Sequence, residues 1–138
     1  MDLNITNKAQ DLPFSFILEE LIAGNITKSP AKQNIYKKMK GVVAIDLPDI
    51  EAAVTLTFGQ GKLTIEAGIN GNPEIVIKTT YDLVMDLNMI NIRWGLPYYF
   101  DEAGRRVLGH ILSGRLKIKG MFFHTVLLTR LTIIMSVM

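Results

Sequence analysis

The most constraining feature of the sequence is its last apolar segment, Met121 to Met138. These 18 residues reach the lower limit for spanning a bilayer, but Arg130 near the middle would cost about 2.5–3.5 kcal/mol on insertion. Its small polar residues recur at intervals of 4, 3 and 4 and therefore share one helical edge: Thr125, Thr129, Thr132 and Ser136. Nearly all other positions are large and apolar, which is typical of a helix buried on more than one side. The segment therefore predicts a buried helix of a globular domain.

Two interpretations of this helix stay open. In the first, it packs as an ordinary core helix, which its periodicity slightly favours. In the second, its excess apolar surface borders a cavity that a lipid-like molecule fills.

Helical periodicity is also clear near the amino end. Apolar residues from Phe14 to Ile22 recur at i, i+3, i+4, i+7 and i+8, with Pro13 before them and Gly24 after them. Ser29, followed by a proline, then predicts the start of a short basic helix to about residue 40. The amino end is therefore expected to be helical.

The period changes to two in the middle of the chain. Between Val43 and Ile77, apolar residues alternate with polar ones in four successive runs, separated by turn residues. Short connections predict an antiparallel sheet with one apolar face. Two helices follow, the first from Thr79 to about Ile92 and the second ending at Gly114, and then a short basic strand from Arg115 to Lys119.

Composition and charge exclude several classes of function. The absence of cysteine excludes disulfides, thiolate metal sites and cysteine nucleophiles, and it fits the cytoplasmic location that we expect. The first twenty residues have no basic start and no long apolar run, so we expect no secretory signal in them. A net charge of +2 is too small to predict binding of nucleic acid, and we expect none. Basic residues without acids occupy 28–40 and 103–138, which indicates either a solvated face or a surface for anionic phosphates or membrane.

No constellation of catalytic or metal-binding residues is evident. The two histidines, His110 and His124, do not have the spacing of a metal pair on one face. Asp82 and Asp86 lie one helical turn apart, but a solvated face explains them better than acid–base chemistry. Gly59 and Gly61 do not fit a phosphate loop, because Leu63 stands where the hydroxyl residue would be and Leu56 where the first glycine would be. We therefore expect no enzyme, no metal and no cofactor.

The run Ile111-Leu-Ser-Gly-Arg-Leu-Lys-Ile-Lys-Gly120, followed at once by a long apolar helix, resembles the C-terminal signature of the sterol carrier protein-2 (SCP-2) family. In that family a helix ends in a Ser-Gly step, a basic alternating strand ends in glycine, and a final amphipathic helix follows. The resemblance covers residues 34–138 and is specific only between Leu112 and Gly120. The segment 91–102, with one tryptophan and two tyrosines, is longer and more aromatic than usual for the family. The final Ser-Val-Met is not a peroxisomal signal.

The resemblance implies an α+β fold, with a five-stranded, mainly antiparallel sheet covered by helices. An apolar tunnel, closed by the C-terminal helix, would take a fatty acid, acyl-CoA, sterol or isoprenoid-type ligand. Residues 1–138 would form a single domain, with 1–33 as its N-terminal helical extension.

Candidate ligand-binding residues are apolar side chains of the expected tunnel wall: Met85, Met89, Trp94, Phe122, Phe123, Val126, Leu127 and Ile134. Arg105, Arg106 or Arg115 could hold an acidic head group or meet an anionic membrane transiently during loading. The expected function is non-catalytic binding or transfer of a lipid or other long apolar molecule. The alternative is an accessory or scaffold subunit that uses the aromatic segment 94–100 as its contact patch, for example with a second copy of itself in a homodimer.

Overall fold

The structure is a computed structural model that describes residues 3–82, 92–93, 96–97, 105, 117–120 and 123–135. Among these residues, the helices with described bounds are α1 (Pro13–Thr27), α2 (Pro30–Lys38) and α3 (Thr125–Met135). The strands are β1 (Ile5–Asn7), β2 (Gly41–Leu47), β3 (Ala52–Gly59), β4 (Lys62–Ala67), β5 (Ile75–Lys78), β6 (Ile92–Arg93), β7 (Leu96–Pro97) and β8 (Lys117–Lys119). A 3-10 turn, Pro48–Ile50, joins β2 to β3.

A mixed sheet of six strands forms the centre of the fold, in the order β1-β4-β3-β2-β5-β8. Three neighbouring pairs are antiparallel (β2–β3, β3–β4 and β5–β8), whereas β1–β4 and β2–β5 are parallel. The α+β class is confirmed, but the expected number of five strands is wrong by one. The additional strand is β1, which is only three residues long and therefore leaves almost no alternation to detect.

The partner of β5 also differs from the expectation. The sequence predicted an antiparallel series, yet β5 pairs in parallel with β2, so residues 68–74 cross over β3 and β2 instead of forming a hairpin. The Thr55 hydroxyl fastens this crossover to the sheet, since it donates to Gly68 O at 2.7 Å and accepts from the Asn70 N–H at 3.0 Å. The crossover thus covers part of the sheet face that the alternation had left to solvent.

Both amino-terminal helices form where the sequence predicts them, α1 from its periodicity and α2 from its Ser-Pro start. Ser29 caps α2, because its side chain accepts a hydrogen bond from the backbone N–H of Lys32 at 3.3 Å. Helix α1 does not end at Gly24, however, but continues to Thr27. A glycine inside a helix costs about 1 kcal/mol, and burial of Ile26 in the core offsets that cost.

The core lies between the sheet and the helices. Leu18, Ile22 and Ile26 of α1 join buried side chains of β2–β5 and of α3 in one apolar cluster. The three helices also contact one another. Within the described residues, no helix has the length and hydropathy that crossing a bilayer requires.

Candidate functional site

Helix α3 carries the apolar surface on which the functional hypothesis rests. Leu127, Leu131 and Ile134 recur at i, i+4 and i+7, and all three are buried. Ile133 and Met135 are buried as well, so the second half of the helix is enclosed on more than one side. The predicted buried helix is therefore present, although it begins at Thr125 and not at Met121.

Two polar contacts fix α3 against the amino-terminal helices. The buried Asn25 side chain on α1 donates from Nδ2 to the carbonyl oxygen of Ile134 at 3.1 Å. Arg130 donates from Nη1 to the carbonyl oxygen of Lys38, the last residue of α2, at 3.3 Å. A cation at a helix C-terminus is favoured by the macrodipole. This contact explains why α3, which is otherwise apolar, carries the charged residue Arg130.

The start of α3 lies against the ends of three strands. Glycine at 120 is required, because it has φ +86° and a Cβ there would overlap the carbonyl oxygen of Glu74. At Gly41, an added Cβ would lie 2.6 Å from Leu127 Cδ2, so β2 and α3 approach closely. His124 Nδ1 lies 3.4 Å from Glu74 Oε2 and forms an ion pair when the imidazole is protonated. These contacts bring together the beginnings of β2, β5 and α3 and the end of β8.

The structure separates the predicted wall residues that it describes into two groups. Leu127 and Ile134 are buried in the core. Phe123 and Val126, by contrast, are 90% and 61% exposed at the start of α3. Met85, Met89, Trp94 and Phe122 lie outside the described residues. The role of all eight as ligand contacts stays a prediction.

The predicted head-group contacts are only partly within the described residues. Arg105 is helical and exposed, whereas Arg106 and Arg115 lie outside the described residues. The aromatic segment 94–100 is described only at the backbone of residues 96–97, which pair with residues 92–93.

Two residues of this region had no signal in the sequence. Asn25 falls on the apolar side of α1, where its contact with α3 depends on two helices distant in sequence. Lys32 belongs to the basic run 28–40, yet its side chain is buried, and burial lowers the pKa of its amino group below the usual lysine value. Neither position could be found from periodicity, since each depends on tertiary packing.

A surface depression of about 250 Å³ lies between β1, α2 and the β3–β4 turn. Its lining mixes Leu3 and Tyr36 with polar side chains, and it includes no residue of α3, the helix that is predicted to close the tunnel. It is therefore not the predicted tunnel.

Comparison with known proteins supports the architecture. No family model matches the chain, and no curated protein matches it in sequence. Among solved structures, a UbiJ-SCP2 ubiquinone synthesis protein matches with a TM-score of 0.64 at 13% identity, over 91% of this chain and 95% of that chain. A sterol carrier protein 2 matches with a TM-score of 0.54 at 14% identity, over 88% of this chain and 92% of that chain. The element order, the mixed sheet and these structural matches agree, and the chain has the fold of sterol carrier protein 2.

Proposed function

We propose that this protein binds a lipid-like apolar ligand in an internal cavity, with α3 as one wall, and that it does so without catalysis. The observation that carries the proposal is the placement of α3, an apolar helix whose buried residues complete the core of an SCP-2 fold. The matched structures support it, because one is named for ubiquinone synthesis and the other is a sterol carrier protein. A fatty acid, acyl-CoA, sterol or isoprenoid-type molecule would suit such a cavity.

Burial of an apolar ligand can by itself supply the free energy of binding, so the proposal requires no catalytic residue. Each buried methylene contributes about 0.8 kcal/mol, so a long acyl chain gains on the order of 10 kcal/mol before the costs of association. Arg105, Arg106 or Arg115 would hold an acidic head group or meet an anionic membrane. A cytoplasmic location is part of the same proposal, since the chain has no cysteine.

The ligand can be identified directly on gently purified protein. We expect native mass spectrometry to show a bound mass that disappears on solvent extraction, and a fluorescent acyl probe to bind the extracted protein. Failure to recover any lipid, together with failure of the probe to bind, would refute the proposal.

A pair of variants tests where the probe binds. Met89→Trp adds bulk at a predicted wall position and should weaken acyl-probe binding by about tenfold or more, because an added ring displaces several methylenes of ligand. The control is Ile50→Trp in the exposed 3-10 turn, which should bind the probe as the wild type does. Thermal unfolding of both variants checks that each is folded. Equal probe affinities in two folded variants would exclude Met89 from the wall.

A further inference from the structure

Thr55 and Thr79 are both buried in the sheet, but only one of their hydroxyl groups is hydrogen-bonded. Thr55 on β3 is 1% exposed, and its hydroxyl donates to Gly68 O and accepts from the Asn70 N–H. Thr79 follows β5 directly and is 4% exposed, and its Oγ1 has no hydrogen-bond partner in the part of the chain that the structure describes. Buried hydroxyl groups are nearly always paired, because an unpaired one loses its bonds to water without replacement. The Thr79 hydroxyl therefore requires an explanation.

Thr79 does not cap the helical turn that follows it. A capping threonine accepts a hydrogen bond from a backbone N–H two or three residues further along the chain. Here the helical backbone begins at Tyr81, whose N–H donates to Asp49 Oδ2 at 3.2 Å. The carboxylate of the 3-10 turn thus takes the bond that Thr79 could have accepted. The usual role of a threonine at the start of a helix does not explain this residue.

The backbone directs the Thr79 side chain to the core side of the sheet. The Thr79 N–H donates to Asp46 O at 3.1 Å, which continues the parallel pairing of β2 and β5 by one residue. Because side chains alternate along a strand, Thr79 faces the same side as Ile77, which belongs to the apolar cluster. Ile45 is the partner of Ile77, so Leu47, two residues further along β2, lies beside Thr79. The unpaired hydroxyl therefore has apolar neighbours on the side where the core lies.

These surroundings favour an uncharged partner for the hydroxyl. Leu47 and Ile77 are themselves only 0% and 4% exposed. A carboxylate placed here would lose its water, and one hydroxyl group does not compensate for that loss. A hydrocarbon chain would leave the hydroxyl without a partner. An alcohol or carbonyl oxygen would satisfy it, since a threonine hydroxyl can both donate and accept a hydrogen bond.

We propose that the Thr79 hydroxyl forms a hydrogen bond with an uncharged hydroxyl or carbonyl oxygen of the bound ligand. This inference rests on the proposed function and narrows the class of ligand to apolar molecules that carry such an oxygen in their buried part. Buried methylenes supply most of the affinity, whereas the oxygen supplies selectivity. A charged head group, where a ligand has one, lies away from Thr79 in this arrangement.

One oxygen atom is enough to discriminate between ligands of equal size. A site that offers a hydrogen bond to a polar group rejects the analogue that lacks this group, because the analogue leaves the polar atom of the site unpaired. In the ligand-free protein the Thr79 hydroxyl is already in that unpaired state. Binding of an oxygen would replace the bond that the hydroxyl lost on burial, so the preference should depend on the hydroxyl itself and not on the shape of the side chain.

Competition against a fluorescent acyl probe tests this preference with dodecan-1-ol, dodecan-2-one and dodecane, each supplied from cyclodextrin. Thr79→Val keeps the shape of the side chain and removes its hydroxyl. We expect it to weaken binding of the alcohol, the ketone or both by about tenfold, and to leave dodecane within about twofold of wild type. A loss for the ketone would show that Thr79 donates, and a loss confined to the alcohol would show that it accepts. Thr79→Ser should retain the wild-type preference.

Thr55→Val is the matched control, because it removes a buried hydroxyl that is paired on the opposite face of the sheet. It should lower the Tm and leave all three affinities within about twofold of wild type. Thr79→Val should instead raise the Tm of solvent-extracted, ligand-free protein by about 3 °C, since it removes an unpaired group from an apolar site. An unchanged or lowered Tm for Thr79→Val would overturn the inference, because the hydroxyl would then have a partner within the protein.

Failure of this inference is distinguishable from failure of the proposed function. If the acyl probe binds and Thr79→Val changes the affinities for the alcohol, the ketone and dodecane equally, or changes none of them, the protein binds lipid without using Thr79. That result would overturn the inference alone. If neither the probe nor any of the three competitors binds to the wild type, the proposed function fails and the inference fails with it.

Discussion

At the scale of single residues, Gly120 shows what the sequence could and could not reveal. Its place at the end of a basic alternating strand was part of the resemblance that led to the fold. The reason for a glycine is visible only in three dimensions: the residue has a positive φ, and its Cα lies so close to the backbone of Glu74 that a side chain would not fit. Lys32 and Asn25 show the same limit, because the burial of each depends on elements distant in sequence.

Gly120→Ala should therefore destabilise the protein more than a glycine substitution that meets only the cost of positive φ. Gly71 is the control, since it has φ +66° and a Cβ added there would meet no other atom within 4 Å. We expect a loss of about 1 kcal/mol for Gly71→Ala, and at least ~2 kcal/mol more for Gly120→Ala because the backbone of β5 must move. Urea unfolding measures both. Equal losses would show that the contact with Glu74 adds nothing.

At the scale of helices and strands, periodicity predicted the elements better than their partners. Alternation marked β2 to β5 because each strand has a buried face, but backbone hydrogen bonds carry no side-chain signal that identifies the neighbour. The parallel partner of β5 was missed for this reason. Helix α1 continues past Gly24, where the sequence predicted its end, because Ile26 is buried in the core.

The link between α1 and α3 through Asn25 gives a test at this scale. Asn25→Ala removes the donor to Ile134 O in a buried site, and we expect a loss of about 1–3 kcal/mol, reduced slightly by the better helix propensity of alanine. Asn70→Ala is the control, because its side chain donates to Ala67 O at an exposed position. The free energy of unfolding in urea should fall less for Asn70→Ala. The reverse order would show that Asn25 does not fasten α3.

At the scale of the whole molecule, the fold class followed from the order of helical and alternating segments, whereas the tunnel followed only from the resemblance. Of the predicted wall, Leu127 and Ile134 lie in the core, and Phe123 and Val126 lie on the surface. A sequence pattern reports that a helix is apolar, but it does not distinguish a neighbouring protein side chain from a ligand or a membrane. The division of α3 into an exposed start and a buried end required the structure.

The pH dependence of global stability should report the burial of Lys32. Burial lowers the pKa of Lys32 in the folded state, so the unfolded chain binds this proton more tightly. The free energy of unfolding should therefore rise with pH between that lowered pKa and the ordinary value of about 10.4, and be lower below that window. Lys32→Met should abolish this contribution, whereas Lys37→Met, at an exposed position of the same helix, should retain it. Parallel curves of unfolding free energy against pH for wild type and Lys32→Met would contradict this assignment.

The two parallel strand pairs have a consequence for the order in which the chain can fold. Strands β2, β3 and β4 form a meander of local contacts, which close quickly because their loops are short. The pairing of β1 with β4 joins residues that are far apart in sequence, and α3 follows every strand of the sheet along the chain. During synthesis the meander can therefore assemble before α3 has been made, so its apolar surface is still uncovered. Until α3 has been synthesised, the surface that it will cover is exposed to any apolar molecule nearby.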